Sequence, residues 1–82
     1  MEKAKVYFTD FHATPEMTLP QKLRRLVKKA GIDELPVKGH FTAIKIHFGE
    51  PGNLAYLRPN YAKVIVDIVK ENGGKVFLTD CN

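Results

Sequence analysis

Apolar residues recur along this chain in two rhythms, and each rhythm predicts an element. Leu19, Leu23, Leu26, Val27 and Ala30 return at spacings of three and four, which gathers them into one stripe on a helix. Thr18 and Gln21 precede that stripe in the order of a capping box, in which the hydroxyl accepts from a free backbone N–H and the amide reaches back. Gly31 supplies a residue able to adopt the left-handed conformation that ends a helix. Tyr61, Val64, Ile65, Ile68 and Val69 form a second stripe, opened by Pro59 and closed by Asn72-Gly73-Gly74. The other rhythm is alternation. Residues 3–9, 41–48 and 75–79 are β-branched and aromatic runs bounded by turn residues, and each is predicted as a strand.

The resulting order, β-α-β-α-β, predicts an α/β fold built on a three-stranded parallel sheet. Ala4, Val6 and Phe8, then Ile44, Ile46 and Phe48, then Val76 and Leu78, give each strand one apolar face. The opposite faces carry Lys5 and Tyr7, Lys45 and His47, and Lys75 and Phe77. A sheet covered on both sides reads as more uniformly apolar, so both helices are expected on one face. That requires strand order 3-2-1, the arrangement of half of a Rossmann-like unit, with 2-1-3 as the alternative. The 82 residues hold one domain. A half-polar sheet face, and a sequence that stops at Thr79-Asp80-Cys81-Asn82 just past a strand, are what an N-terminal piece of a longer protein would show.

In open α/β sheets ligands bind at the carboxyl ends of the strands. Those ends are expected to deliver Asp10, Phe11 and His12, then His47, Gly49 and Glu50, then Asp80, Cys81 and Asn82 to one edge. Gly49-Glu50-Pro51-Gly52-Asn53 offers a flexible backbone with exposed N–H groups, and Arg58 follows at a helix start, where the dipole favours an anion. Either this loop cradles a phosphate or carboxylate with Arg58 as clamp, or it is a plain turn. His47 and Glu50, with Asp80 or Asp10 nearby, compose a mixed set suited to zinc, manganese or iron, although the spacing has no helical register. The alternatives for His47 are a hydrogen-bonded loop residue or a general base. Neither a G-x-G-x-x-G after the first strand nor a P-loop is present.

Cysteine and charge narrow the field. Cys81 is the single cysteine, which excludes a disulfide framework and any self-contained iron–sulfur cluster. It reads as a small buried hydrophobe rather than a nucleophile, since the neighbouring Asp80 would raise its pKa. Net charge is +4 and Lys22, Arg24, Arg25, Lys28 and Lys29 all lie on the first helix. Nucleic-acid binding would need an aromatic platform or recognition motif beside them, and none is there, so a solvated face is the better reading. No apolar run spans a bilayer and no secretory leader opens the chain, which together predict a cytoplasmic protein without membrane partners.

Two longer runs carry a resemblance. Ile44 to Asn53, continued by Tyr56-Leu57-Arg58-Pro59, and the later run from Gly73 to Asn82 resemble the N-terminal region of a bacterial and archaeal domain-of-unknown-function family. Its members are often labelled uncharacterised iron–sulfur centre proteins. The likeness covers essentially the whole chain. It implies a protein several hundred residues long, with a ferredoxin-like four-iron four-sulfur (4Fe-4S) module downstream of these residues and no cofactor within them. His47, Gly49, Glu50, Gly52, Asn53, Arg58, Asp80 and Asn82 match the family pattern. The resemblance implies no reaction.

The expectation is an iron–sulfur-associated, redox-linked protein of unknown reaction. Its α/β portion would bind a small anionic ligand or a metal at the sheet edge. Gly49, Gly52, Asn53, Arg58 and Asn82 would hold the ligand, and His47, Glu50 and Asp80 would supply acid–base chemistry, with His47 and Glu50 as the metal-ligand pair. The rival expectations are a non-catalytic docking module, whose polar sheet face and basic helix receive a partner domain, and nucleic-acid binding through the basic helix.

Overall fold

Thr18 accepts a hydrogen bond from the Gln21 amide at 3.3 Å, and the Gln21 side chain accepts from the Thr18 amide at 2.7 Å. This reciprocal cap satisfies two amides that a helix start otherwise leaves unpaired. In the computed structural model, which describes residues 3–80, it opens helix α1, Leu19–Ala30. Gly31 closes α1 with φ of 106°, and a single 3-10 turn, Ile32–Glu34, follows. Strand β1 is Phe41–Lys45, helix α2 is Pro59–Glu71 and strand β2 is Lys75–Thr79. Both helices and the last strand therefore occupy the stretches that periodicity marks out.

β1 and β2 pair in parallel, from Phe41 opposite Lys75 to Lys45 opposite Thr79. Parallel neighbours need a crossover, and α2 supplies it. The apolar stripe of α2 is the centre of the molecule. Ile68 is fully buried, and Ala62, Val69 and Val37 complete the buried apolar set among the described residues. Complete burial of a side chain such as Ile68 is worth about 1.5–3 kcal/mol. α2 touches both strands, α1 and the 3-10 turn. Two polar ties reinforce it: Arg24 of α1 pairs with Glu71 at 2.6 Å, and the Asn72 amide group donates to Asp33 at 2.8 Å.

Three expectations are corrected. Among the described residues the sheet has two strands, so neither the 3-2-1 nor the 2-1-3 order of a three-stranded β-α-β-α-β sheet is formed, and there is no Rossmann-like half-unit. Residues 3–9 belong to no helix or strand. β-propensity measures fit to a pleated, half-buried surface, and this segment meets no partner strand among the described residues. Asp10 is ion-paired with Lys22, whose ammonium also donates to the His12 carbonyl at 2.8 Å, and this holds the end of the segment against α1. Finally, the two helices do not share a sheet face: α2 alone covers the strands, and α1 packs on α2 and the 3-10 turn without touching either strand. The strand expected over 41–48, here β1, ends at Lys45, although Ile46 still donates to the Thr79 carbonyl at 2.8 Å.

Much apolar surface stays in water. Val6, Phe8 and Phe11 are more than four-fifths exposed, and Phe41 and Phe77 leave the uncovered sheet face bare. The accessible surface is 6881 Å². A folded monomer of this mass is expected near about 5,000 Å². A radius of gyration of 14.5 Å agrees, set against about 12 Å for a compact domain of this length.

The tie between Asp33 and α2 makes stability depend on pH. Hydrogen bonds from Asn72 and then Lys28 hold the Asp33 carboxyl below the ordinary aspartate value of 3.8. A depressed carboxyl favours the fold above the unfolded value, and that contribution vanishes as pH falls through the folded one. Melting temperature is expected to drop as pH is taken below 3.8, and Asp33→Asn should show a shallower acid-side fall than the parent in the same thermal scans.

Candidate functional site

The carboxyl ends of β1 and β2 meet at Asp80. One step beyond the last ladder bond, the Phe48 amide donates to Asp80 Oδ2 at 3.0 Å, so a side-chain carboxylate continues the ladder where backbone pairing stops. His47 stands between these two amides, and its Nδ1 lies 3.6 Å from the same oxygen. That separation is longer than a hydrogen bond but within ion-pair reach once the imidazole carries a proton. The Asp80 carboxylate is 23% exposed and the His47 ring 55% exposed, which leaves the ring open to solvent while its partner is sheltered. The structure therefore brings His47 and Asp80 together.

The loop that follows is shaped by its glycines. Gly49 has φ of 87°, and a Cβ there would lie 2.6 Å from the Asn53 carbonyl oxygen and 2.7 Å from the Tyr56 ring. Only glycine lets the backbone pass so close. Glu50 accepts from the Asn53 amide at 2.8 Å across Pro51 and Gly52, and Gly52 has φ of 86°. Proline second and a left-handed glycine third are the demands of a type II turn. The Asn53 side-chain oxygen accepts from the Ala55 amide at 2.9 Å. Gly49, Gly52 and Asn53, expected as ligand-binding residues, thus also have structural work in this turn. Glu50 sits exposed on it.

Arg58 stands at the far end of the loop as the N-cap of α2, in an extended conformation that suits the residue before Pro59. Its carbonyl accepts from the Tyr61 amide at 3.0 Å. No acidic side chain lies in the first turn of α2 and no side chain caps it. Among the described residues no hydrogen bond or ion pair joins the Arg58 guanidinium to His47, Glu50 or Asp80. The arrangement is an open rim: an imidazole–carboxylate pair at one end of the loop, a guanidinium and a helix start at the other.

Other expected participants lie elsewhere. Asp10 and His12 do not join the rim, because the first segment forms no strand. Hydrogen bonds from Lys22 and then from the His12 amide hold the Asp10 carboxyl below its usual range. Cys81 and Asn82 fall outside the described residues. Among the described residues no group of three or more histidine, cysteine, aspartate or glutamate side chains is disposed to hold a metal ion, so His47 and Glu50 gain no third ligand there. A 4Fe-4S cluster takes four thiolates; with Cys81 alone the chain's donor set does not fit one. The Phe48–Asp80 bond and the Tyr56–Gly49 contact have no sequence signal, because the partners are brought together by strand pairing and loop closure.

The fold and rim define a β-α-β unit of an open parallel sheet with ionisable side chains at its carboxyl edge. The family model for a domain of unknown function, DUF362, matches residues 42–82, which takes in nearly all of β1, the whole loop, α2 and β2. The chain belongs to that family. No curated protein and no solved structure matches it. Among the described residues no helix is long and apolar enough to cross a membrane.

The two loop glycines should respond differently to substitution. Gly52→Ala meets only left-handed strain, because nothing lies within 4 Å of its added Cβ; the expected loss is about 1–2 kcal/mol. Gly49→Ala meets the same strain and a backbone collision, so urea unfolding should show a larger loss. It should also speed hydrogen exchange at the Phe48 amide, which Gly52→Ala should leave unchanged.

Proposed function

We propose that this chain binds a small anionic ligand at the carboxyl edge of its sheet. In this reading Arg58 and the first turn of α2 are the anion-holding end, and His47, positioned by Asp80, gives or takes a proton at the other. The observation that carries it is the head of α2: a guanidinium with no carboxylate partner among the described residues, beside a helix start with no acidic side chain or side-chain cap. Helix starts and arginine forks are both suited to phosphate and carboxylate groups. The polarity of the β-α-β unit supports the same edge. A metal at His47 and Glu50 has less support, because the described residues offer them no third ligand. Nucleic-acid binding through α1 also has less support, since Lys22, Arg24 and Lys28 are engaged with Asp10, Glu71 and Asp33. The resemblance adds a redox-linked, iron–sulfur setting, whose cluster ligands would have to come from outside this chain.

Titration with inorganic phosphate, followed by amide NMR, tests the reading. Saturating shifts are expected at residues 47–58 and at Asp80. Arg58→Gln should weaken binding about tenfold, the loss of one charge-assisted contact. Shifts spread evenly over the surface, or an Arg58→Gln variant that binds as well as the parent, would overturn it.

A second reading is favoured by one observation, the bare sheet face on which Phe41 is 78% and Phe77 49% exposed. Here the chain is a docking module whose partner is the remainder of a longer protein. In a polypeptide that extends this chain, the amides around Phe41 and Phe77 should exchange more slowly than in the 82 residues alone. Equal exchange in both would count against docking.

A further inference from the structure

The five cations of α1 divide into two groups. Lys22, Arg24 and Lys28 each face a carboxylate, on Asp10, Glu71 and Asp33 respectively. Arg25 and Lys29 face none among the described residues, and both line the same hollow of about 300 Å³ between α1 and the segment ending at Thr9. Their spacing of four places them on one side of α1, one turn apart. The floor of this hollow is apolar, made by Phe8, Met17 and Leu26.

A second hollow of about 260 Å³ adjoins the first, since both are lined by Thr9 and Lys22. Its walls are almost wholly apolar, with Leu23 from α1, Leu57 from the loop and Tyr61 from α2. The one acidic residue in this lining, Asp10, is neutralised by Lys22. From Leu19 to Lys29 the groove follows α1 for about 15 Å at 1.5 Å per residue. One end is apolar and bordered by three elements, and the other carries two cations without carboxylate partners among the described residues.

We infer that this groove is a binding site for an amphipathic anion, with an alkyl chain between Leu23, Leu57 and Tyr61 and a carboxylate or phosphate head on Arg25 and Lys29. Charge complementarity selects the occupant. A neutral apolar molecule makes no use of the two exposed cations at the rim. A small inorganic anion leaves the apolar hollow in water, whereas an amphipathic anion satisfies both ends at once. The groove does not use His47, Asp80 or Arg58, although its wall residue Leu57 adjoins Arg58 in the chain.

Decanoate, decyl phosphate and decanol, each below its micelle concentration, distinguish the possibilities when titrated into the whole chain under NMR observation. Both anions should shift the amides of residues 22–29 and the side chains of Leu23, Leu57 and Tyr61, and the tighter of the two identifies the head group. Decanol should bind about tenfold more weakly. The double variant Arg25→Gln, Lys29→Gln should lose that same factor for the anions and none for decanol. Its fold should be unchanged, because both side chains are exposed and pair with no carboxylate among the described residues. Leu57→Ala, a change on an exposed loop, should weaken all three ligands. Decanol binding as tightly as decanoate, a double variant with undiminished affinity for the anions, or shifts confined to residues 47–58 would overturn the inference.

Discussion

Burial of one stripe of α2 holds this molecule together. Ile68, Val69 and Ala62 face inward from a helix that touches both strands, α1 and the 3-10 turn, so each of these elements depends on the same few side chains. β1 and β2 can pair in parallel only because the chain between them returns through α2. α1 in turn has no buried residue of its own and rests its half-exposed stripe on α2. A core this small leaves polar ties such as Arg24–Glu71 and Asn72–Asp33 an unusually large share in fixing how the helices sit.

The same economy explains the surface. With α2 covering one face of a two-stranded sheet, no described element covers the other, and Phe41 and Phe77 remain exposed with Lys75 lying over the Phe41 ring at 5.1 Å. Large exposed apolar areas on a small protein mark places where something else binds. Two of them differ in character: the sheet face is open and flat, whereas the groove along α1 is walled by the N-terminal segment and the loop and ends in cations.

At the carboxyl edge, Asp80 decides the geometry. Its carboxylate takes the Phe48 amide that backbone pairing has left and stands beside His47, so strand termination and the placing of an ionisable ring are one event. The loop then folds back so that the Asn53 carbonyl and the Tyr56 ring crowd Gly49, and it ends at Arg58, the N-cap of α2.

Local chemistry was legible along the chain wherever neighbours in sequence are neighbours in space. The Thr18–Gln21 cap, the left-handed Gly31, Pro59 at a helix start, the turn at Glu50-Pro51-Gly52-Asn53 and the alternation of Lys75 to Thr79 are all satisfied within a few residues, so the amino-acid order determines them. Residues 3–9 show the limit. Their β-forming composition is real, but a strand exists only if a free edge is within reach, and Lys22 holds Asp10 on α1 instead. Whether α1 would lie on the sheet or on α2, whether Asp80 would meet His47 or Arg58 would join them, and which cations of α1 would be left unpaired are questions about residues ten to fifty positions apart. Packing around Ile68 answers them, because only the folded chain sets those distances.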